Sequence, residues 1–252
     1  MNELIGRQDK QKGRNMAKYA KRYQAEVELF IKVSHRLASN HFVTALGGNA
    51  AWKLEKDLIL ITPTQMYKGD VTAEDVVFIN FAGETVEGRR KPTGEKPMYL
   101  KFFNDRPDVV SVIHCHPPCA CATAIMKNPK FLMRPFYPEA VTEVGPVPVV
   151  PYGPPLTQQL ADNFAPFLQK YNSFIMENHG LVTMTRGDIY WSLLTVELFE
   201  GTVDSMLRAL SAGTLKELSH KAVRELSEVM HTRNLPLFGA PGVNSSLEKM
   251  FF

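Results

Sequence analysis

The stretch KPTGEKPMYLKFFNDRPDVVSVIHCHP, from Lys91 to Pro117, decides how the rest of the chain is interpreted. It contains a carboxylate, Glu95, and two histidines, His114 and His116, at the end of an apolar run. Because side chains two residues apart on a strand point to the same face, these histidines can reach one metal ion together. The β-branched residues before them predict a buried strand, and a helix that starts near Glu95 is predicted upstream. The stretch therefore predicts a metal site at a strand end, beside a carboxylate.

A third ligand is needed, because catalytic zinc takes about three protein ligands and keeps one open position. An HxH pair alone is often incidental, so the prediction depends on finding that ligand. His179 is the best candidate, since it follows the apolar run in SFIMENHG and precedes Gly180, where the backbone can approach closely. Three imidazoles favour Zn²⁺, one ion per subunit, and leave other divalent metals such as Mn²⁺ and Co²⁺ open.

The totals indicate an enzyme rather than a membrane or nucleic-acid-binding protein. The chain has 252 residues, 44% of them hydrophobic, and a net charge of only +3. It has no apolar run long enough to span a membrane, no apolar core of a secretory signal, and three closely spaced cysteines that form no disulfide framework. We therefore expect a cytoplasmic enzyme that binds neither nucleic acid nor a membrane.

The organisation along the chain predicts one α/β domain with a mixed, largely antiparallel central sheet. A flexible basic leader is expected over residues 1–16, the domain over 17–231 and a C-terminal tail over 232–252. The segment LGGNAAW is interpreted as a loop whose backbone N–H groups could face an anion. Periodicity predicts strands over 57–62, 76–81 and 146–151, and helices over 17–40, 95–104, 117–127, 156–170, 188–210 and 215–230.

Five separated motifs, GGN, LITPT, KPTGE, RPDVVSVIHCH and MENHG, occur in the order and spacing of a known family. Over about residues 25–210 the chain resembles the class II aldolase/adducin family. The resemblance implies a class II aldolase-like domain with a three-layer α/β/α sandwich. It also implies assembly as a homotetramer with active sites between neighbouring subunits.

The resemblance also implies roles for individual residues. His114, His116 and His179 match the three zinc ligands, Glu95 matches the acid/base carboxylate, and Tyr137 matches a tyrosine presented to a neighbouring subunit's site. The phosphate pocket departs from the family's common Thr-Gly and Ser-Ser pairs. The substrate-binding positions are Asn49, the pair Thr64 and Gln65, and the pair Thr93 and Gly94.

The implied function is a zinc-dependent lyase of carbohydrate metabolism. It would cleave a short ketose 1-phosphate into dihydroxyacetone phosphate and an aldehyde. Cleaving a C–C bond beside a ketone leaves an enediolate, whose charge a metal stabilises as a Lewis acid, while Glu95 moves the proton. The main alternative is a metal-dependent decarboxylase of a 3-oxo or hydroxy-aromatic acid. Two further alternatives are a sugar-phosphate dehydratase and a non-catalytic adducin-like scaffold, although a scaffold has no need of three histidines and a carboxylate.

Overall fold

A computed structural model describes residues 18–252, and within them a single mixed sheet forms the centre of the fold. The expected basic leader over 1–16 lies outside the described residues. The strands are β1 (Asn49–Glu55), β2 (Leu58–Ile61), β3 (Val77–Ile79), β4 (Thr85–Glu87), β5 (Ser111–Cys115), β6 (Val149–Val150), β7 (Ser173–Met176) and β8 (Gly180–Thr185). Their spatial order is β4-β3-β2-β1-β5-β8-β7-β6. Every neighbouring pair is antiparallel except β6 and β7, which confirms a largely antiparallel mixed sheet.

Helices cover both faces of this sheet. They are α1 (Lys18–Arg22), α2 (Gln24–Ser39), α3 (Lys96–Asp105), α4 (Pro118–Ala124), α5 (Pro138–Glu143), α6 (Gln158–Asn163), α7 (Ala165–Leu168), α8 (Ile189–Ala212), α9 (His220–Thr232) and α10 (Leu247–Phe251). Short 3-10 turns lie at Lys68–Asp70 and Lys130–Met133. Within residues 18–252, no helix is both long and apolar enough to cross a membrane.

Alternating strand residues build two separate cores, one on each face of the sheet. Ile113 and Cys115 of β5 pack with α2 and α8, whereas Val112 of the same strand packs with α3, α6 and α7. Because both faces are covered, strand β2 is buried along its whole length and carries the apolar sequence LILI. The expected three-layer α/β/α sandwich is confirmed.

The pairing of β5 with its two neighbours brings the predicted site residues to one end of the sheet. Strand β1 runs antiparallel to β5, so Asn49 at the start of β1 lies opposite His114 near the end of β5. Strand β8 pairs with the other side of β5, and His179 lies in the tight turn between β7 and β8. Strand β1, strand β5 and the β7–β8 turn are distant in sequence but thus meet at one end of the sheet.

Three segments differ from the sequence-based expectation. The segment expected as a loop at LGGNAAW begins strand β1 at Asn49, and helix α5 lies within a proline-rich stretch expected to be extended. The expected tail over 232–252 is folded: Leu247 and Phe251 of α10 are buried against Val141 of α5. Leu247, Met250 and Phe251 do recur at helical spacing, but helix α10 has only five residues, which is too short for a reliable periodic signal. The domain boundaries themselves stay a prediction.

Candidate active site

A cleft of about 170 Å³ opens at the end of the sheet where β1, β5 and the β7–β8 turn meet. Its walls come from the loop before β1, the loop after β2, the start of α3 and the loop before α6. Glu95 is the only carboxylate and Lys68 the only lysine or arginine that line it within residues 18–252. The lining residues also include the three predicted metal ligands and all five predicted substrate-binding residues.

His114, His116 and His179 form a compact cluster in this cleft. The ring centroid of His114 lies 4.7 Å from the ring centroid of His116 and 4.7 Å from that of His179. The centroids of His116 and His179 are 5.3 Å apart. One nitrogen from each ring can be chosen so that all three lie within 4.8 Å of one another. This spacing suits three ligands around one ion.

The protein leaves a nitrogen without a partner on each of these rings. His114 Nε2, His116 Nε2 and His179 Nδ1 are buried, and none has a hydrogen-bond partner among residues 18–252. Buried polar atoms normally do have a partner, so an orphaned nitrogen on each of three neighbouring rings requires an explanation. A divalent cation supplies it, because neutral imidazole nitrogen is a preferred ligand of such ions. The donor set therefore fits a metal, and the role of each ligand stays a prediction.

Burial and hydrogen bonding favour the neutral form of these histidine rings, which is the form that binds a metal ion. Burial, together with the neighbouring histidines, lowers the pKa of His114 and of His116 from 6.5 to about 3. Burial also lowers the pKa of His179. Neutral rings offer their lone pairs without competition from protons. His114 Nδ1 lies 3.0 Å from the carbonyl oxygen of Leu181, and an N–H donated there leaves Nε2 as the ligand atom.

Glu95 lies directly beside the histidines, at the N-cap position of α3. Its Oε2 is 3.4 Å from His114 Nε2, and its Oε1 is 3.7 Å from His179 Nε2. Asn49 Nδ2 donates a hydrogen bond of 2.8 Å to Glu95 Oε2. Tyr99 in turn donates to Asn49, at 2.6 Å to Oδ1 and 2.8 Å to the backbone oxygen. The carboxylate is therefore fixed in orientation by two buried polar residues.

Two glycines make room for the His116 ring. A Cβ on Gly47 would lie 2.8 Å from His116 Nδ1, and a Cβ on Gly180 would lie 2.5 Å from His116 Cδ2 and 2.7 Å from the Cys115 carbonyl oxygen. Distances this short do not occur between real atoms of this kind. The close backbone approach expected at Gly180 is present in the structure.

The predicted phosphate-pocket residues come together on one wall of the cleft, whereas Tyr137 does not line it. Thr64, Gln65, Thr93 and Gly94 all line the cleft. Tyr137 precedes α5, is 40% exposed and contributes to a separate apolar pocket. Its role in a neighbouring subunit's site stays a prediction.

Sequence reasoning missed three residues of the site. Tyr99 follows Glu95 by one helical turn, and that spacing places both on the same side of α3. Lys68 and Leu156 line the cleft from two loops, and no local sequence pattern marks them. Leu156 adopts a positive φ of 68° and Gln65 a positive φ of 53°, a backbone region that non-glycine residues rarely occupy. Such strained positions concentrate at functional sites.

Comparison with known proteins identifies relatives with two different reactions. The chain is 32% identical to the L-fuculose phosphate aldolase of Methanococcus maripaludis over 68% of this chain and 90% of that protein. It is 28% identical to the 3-oxo-tetronate 4-phosphate decarboxylase of Pectobacterium atrosepticum over 75% of this chain and 90% of the relative.

Solved structures show the same fold. YgbL of Klebsiella pneumoniae, for which an aldolase, epimerase or decarboxylase activity has been suggested, superimposes with a TM-score of 0.75. It is 27% identical, and the match covers 81% of this chain and 98% of YgbL. The sequence profile of the Class II Aldolase and Adducin N-terminal domain matches residues 28–197. The chain therefore belongs to the class II aldolase and adducin family.

Proposed function

We propose that the protein is a metal-dependent class II aldolase, which cleaves a short ketose 1-phosphate into dihydroxyacetone phosphate and an aldehyde. The observation that carries this proposal is the cluster of three imidazoles, each with an orphaned buried nitrogen, beside the buried carboxylate of Glu95. The similarity to an L-fuculose phosphate aldolase supports the same reaction class.

His114, His116 and His179 would hold the metal, which we propose to be zinc, one ion per subunit. When bound, the metal supplies a Lewis acid that stabilises negative charge on the substrate's oxygens. Three ligands from the protein leave coordination positions for substrate, as in other catalytic sites of this type.

Glu95 is the proton-transfer group in this proposal. In the cleavage direction a base removes the proton of the hydroxyl on the carbon that becomes the aldehyde. The electrons of the broken C–C bond pass to the carbon beside the ketone, and that carbon later takes up a proton. Glu95 lies within 3.7 Å of two of the proposed ligands, so it would be close to the reacting carbon of a substrate bound beside them. A positioned acid or base of this kind contributes about 10²–10⁴-fold in rate.

Tyr137 is proposed to act in trans, within a homotetramer. Its ring is 40% exposed and lies outside the cleft of its own chain. Across a subunit boundary its hydroxyl would exchange a proton with the aldehyde oxygen. A Tyr137→Phe variant that kept full activity would remove this part of the proposal, and it would leave the metal site and Glu95 unaffected.

Decarboxylation of an oxo-acid is the second candidate, because the match to a 3-oxo-tetronate 4-phosphate decarboxylase covers 75% of the chain. The electrons of the broken C–C bond pass to the same position beside a carbonyl, and carbon dioxide is the leaving group instead of an aldehyde. Glu95 then needs only to deliver a proton to the carbon. The two reactions therefore use the same site, and their products distinguish them.

A panel assay tests the proposal. Metal-loaded protein is incubated with ketose 1-phosphates and with 3-oxo-acid phosphates, and aldehyde and carbon dioxide are measured separately. We expect aldehyde release from one or more ketose 1-phosphates and its loss in Glu95→Gln, whereas the exposed control Glu228→Gln stays active. Carbon dioxide release without aldehyde would establish the second candidate, and full activity of Glu95→Gln would reject the proposed role of this carboxylate.

A further inference from the structure

Lys68 is a buried cation in the cleft that neither the proposed chemistry nor the sequence patterns account for. It begins the 3-10 turn after β2, and only 2% of its surface is exposed. No carboxylate oxygen within residues 18–252 lies within 4.0 Å of its ammonium group. A buried charge without an opposite charge is costly, and such groups occur chiefly at functional sites.

The hydrogen bonds of this ammonium leave donor capacity free. Lys68 Nζ donates to the backbone oxygen of Met66 at 2.6 Å and, more weakly, to that of Leu46 at 3.5 Å. An ammonium has three N–H donors, so one of them has no acceptor among residues 18–252. The two carbonyls hold the side chain in place, and neither neutralises its charge.

Other free donors belong to residues that line the same cleft. The backbone N–H groups of Gln65 and Gly94 donate to no other backbone group in the described part of the chain. Both residues line the cleft, together with the hydroxyl-bearing side chains of Thr64 and Thr93. A cleft that contains a cation together with free N–H and O–H donors suits an acceptor-rich anion, and a phosphate monoester is such an anion.

Lys68 also carries the charge that a bound anion requires. Burial lowers the pKa of Lys68 to about 8, and the nearby Glu95 carboxylate opposes that shift, so the lysine remains mainly cationic at pH 7. Within residues 18–252, Lys68 supplies the only side-chain ammonium or guanidinium that lines the cleft. The phosphate of a sugar phosphate bound in this cleft would therefore find its positive counter-charge at Lys68.

We propose that Lys68 is the residue that selects for a phosphorylated substrate, by binding the phosphate monoester dianion in this cleft. This inference rests on the proposed function and deepens it.

Calorimetric titration of the metal-loaded protein with inorganic phosphate tests this role without requiring turnover. We expect Lys68→Met to weaken phosphate binding about 10- to 100-fold, the effect of losing a hydrogen bond from a charged group. Lys53→Met is the matched control, because Lys53 also donates to a backbone carbonyl, at 2.6 Å to Pro107, but lies outside the cleft. Metal content and the thermal midpoint are measured on each variant, and Lys68→Gln replaces the methionine variant if that one does not fold.

Unchanged phosphate affinity in a folded Lys68 variant, or no phosphate binding by the wild-type protein, would overturn the inference. If the panel contains a turned-over sugar phosphate, the Lys68 variant should raise its KM far more than it lowers kcat. Phosphate binding that depends on Lys68 in a protein that cleaves no ketose phosphate would support this inference and reject the proposed aldolase reaction. Failure of the Lys68 inference and failure of the proposed aldolase reaction therefore give different experimental results.

Discussion

At the scale of single residues, the orientation of Glu95 depends on a short relay of buried hydrogen bonds. Asn49 donates to the carboxylate, and Tyr99 donates to the side chain and backbone of Asn49. Burial raises the pKa of Tyr99 well above its ordinary value, and the Glu95 charge adds to this, so the phenol remains a donor. Tyr99 is thus a positioning residue that acts through Asn49.

The first prediction concerns this relay. Tyr99→Phe should reduce kcat by about tenfold, because a misplaced acid or base loses part of its contribution while binding groups stay intact. Removing the hydroxyl should also cost about 1 kcal/mol in the free energy of unfolding. KM and the metal content should remain close to wild type. Tyr171→Phe serves as the control, since Tyr171 is only partly buried and lies outside the cleft. An unchanged kcat in Tyr99→Phe would show that the relay has no catalytic role.

Individual site residues are also the features of the molecule that the sequence predicts best. His114, His116, His179 and Glu95 can be predicted because their spacing and their positions at element ends have direct chemical meaning, and the structure brings all four together. Lys68 was not predicted, because its burial depends on the loop around Leu46, which is distant in sequence. Local patterns carry no information about such a contact.

At the scale of elements, the β7–β8 turn brings the backbone at the start of β8 close to β5 and to the His116 ring. No side chain fits between them at Gly180. His179 lies in this turn, and Gly180, which follows it, begins β8 against the His116 ring and the Cys115 carbonyl. The β7–β8 turn therefore has two requirements: it carries the proposed ligand His179, and it needs a residue without a side chain at Gly180.

The second prediction tests this requirement. Gly180→Ala should weaken metal binding about 10- to 100-fold, since a displaced neighbour misorients the His116 ring. Overpacking should also destabilise the fold by about 1–3 kcal/mol. The control is Gly201→Ala in α8, where an added Cβ meets no atom within 4 Å among the described residues. That change should stabilise the helix by about 0.5–1 kcal/mol. Metal titration followed by fluorescence, with thermal unfolding, measures both effects, and wild-type metal affinity in Gly180→Ala would contradict the expectation.

Some strands can be predicted from the sequence and others cannot, and the difference has a physical reason. Strands β2 and β5 were found because their apolar, β-branched residues are buried on both faces. Strand β1 is not predicted from the sequence, since Gly47, Gly48 and Asn49 are typical turn residues and only pairing with β5 makes Asn49 part of a strand. Tertiary pairing overrode the local preference there.

At the scale of the whole molecule, the C-terminal segment completes a small third core. Val141 of α5, Val223 and Met230 of α9, and Leu247 and Phe251 of α10 are buried together. This cluster connects the last residues of the chain to the segment that carries Tyr137. The segment expected to be a tail therefore contributes to the folded structure.

The third prediction measures this contribution. Leu247→Ala should lower the free energy of unfolding by about 2–5 kcal/mol, because Leu247 is fully buried and the change leaves a cavity. Leu235→Ala is the matched control, as Leu235 is 44% exposed and should change stability by less than about 1 kcal/mol. Denaturant titration gives both values. Equal, small effects in the two variants would mean that the C-terminal segment does not stabilise the fold.

The fourth prediction concerns the pH dependence of stability in metal-stripped protein. Burial, with the neighbouring histidines, lowers the pKa of His114 and His116 to about 3, whereas unfolded histidine titrates near 6.5. Between these values the unfolded chain binds protons that the folded chain does not, so stability falls as pH falls from about 6.5 towards 3. The loss between pH 7 and pH 5 should be about 2 kcal/mol for each such histidine.

Denaturant titrations at pH 7 and pH 5 check this slope. His116→Asn should lose less stability over this interval than the wild type, and the exposed control His231→Asn should behave like the wild type. If all three proteins show the same change in the free energy of unfolding, the buried histidines are not the source of the pH dependence.

The most direct test of the central claim is activity as a function of metal added back to stripped protein. We predict that the stripped protein does not cleave the ketose phosphate found in the panel assay. Cleavage should return in proportion to added Zn²⁺, reach a plateau at one ion per chain, and stay absent in His179→Ala. Full cleavage by the stripped protein, or equal recovery in His179→Ala, would contradict a reaction that depends on a metal held by these three histidines.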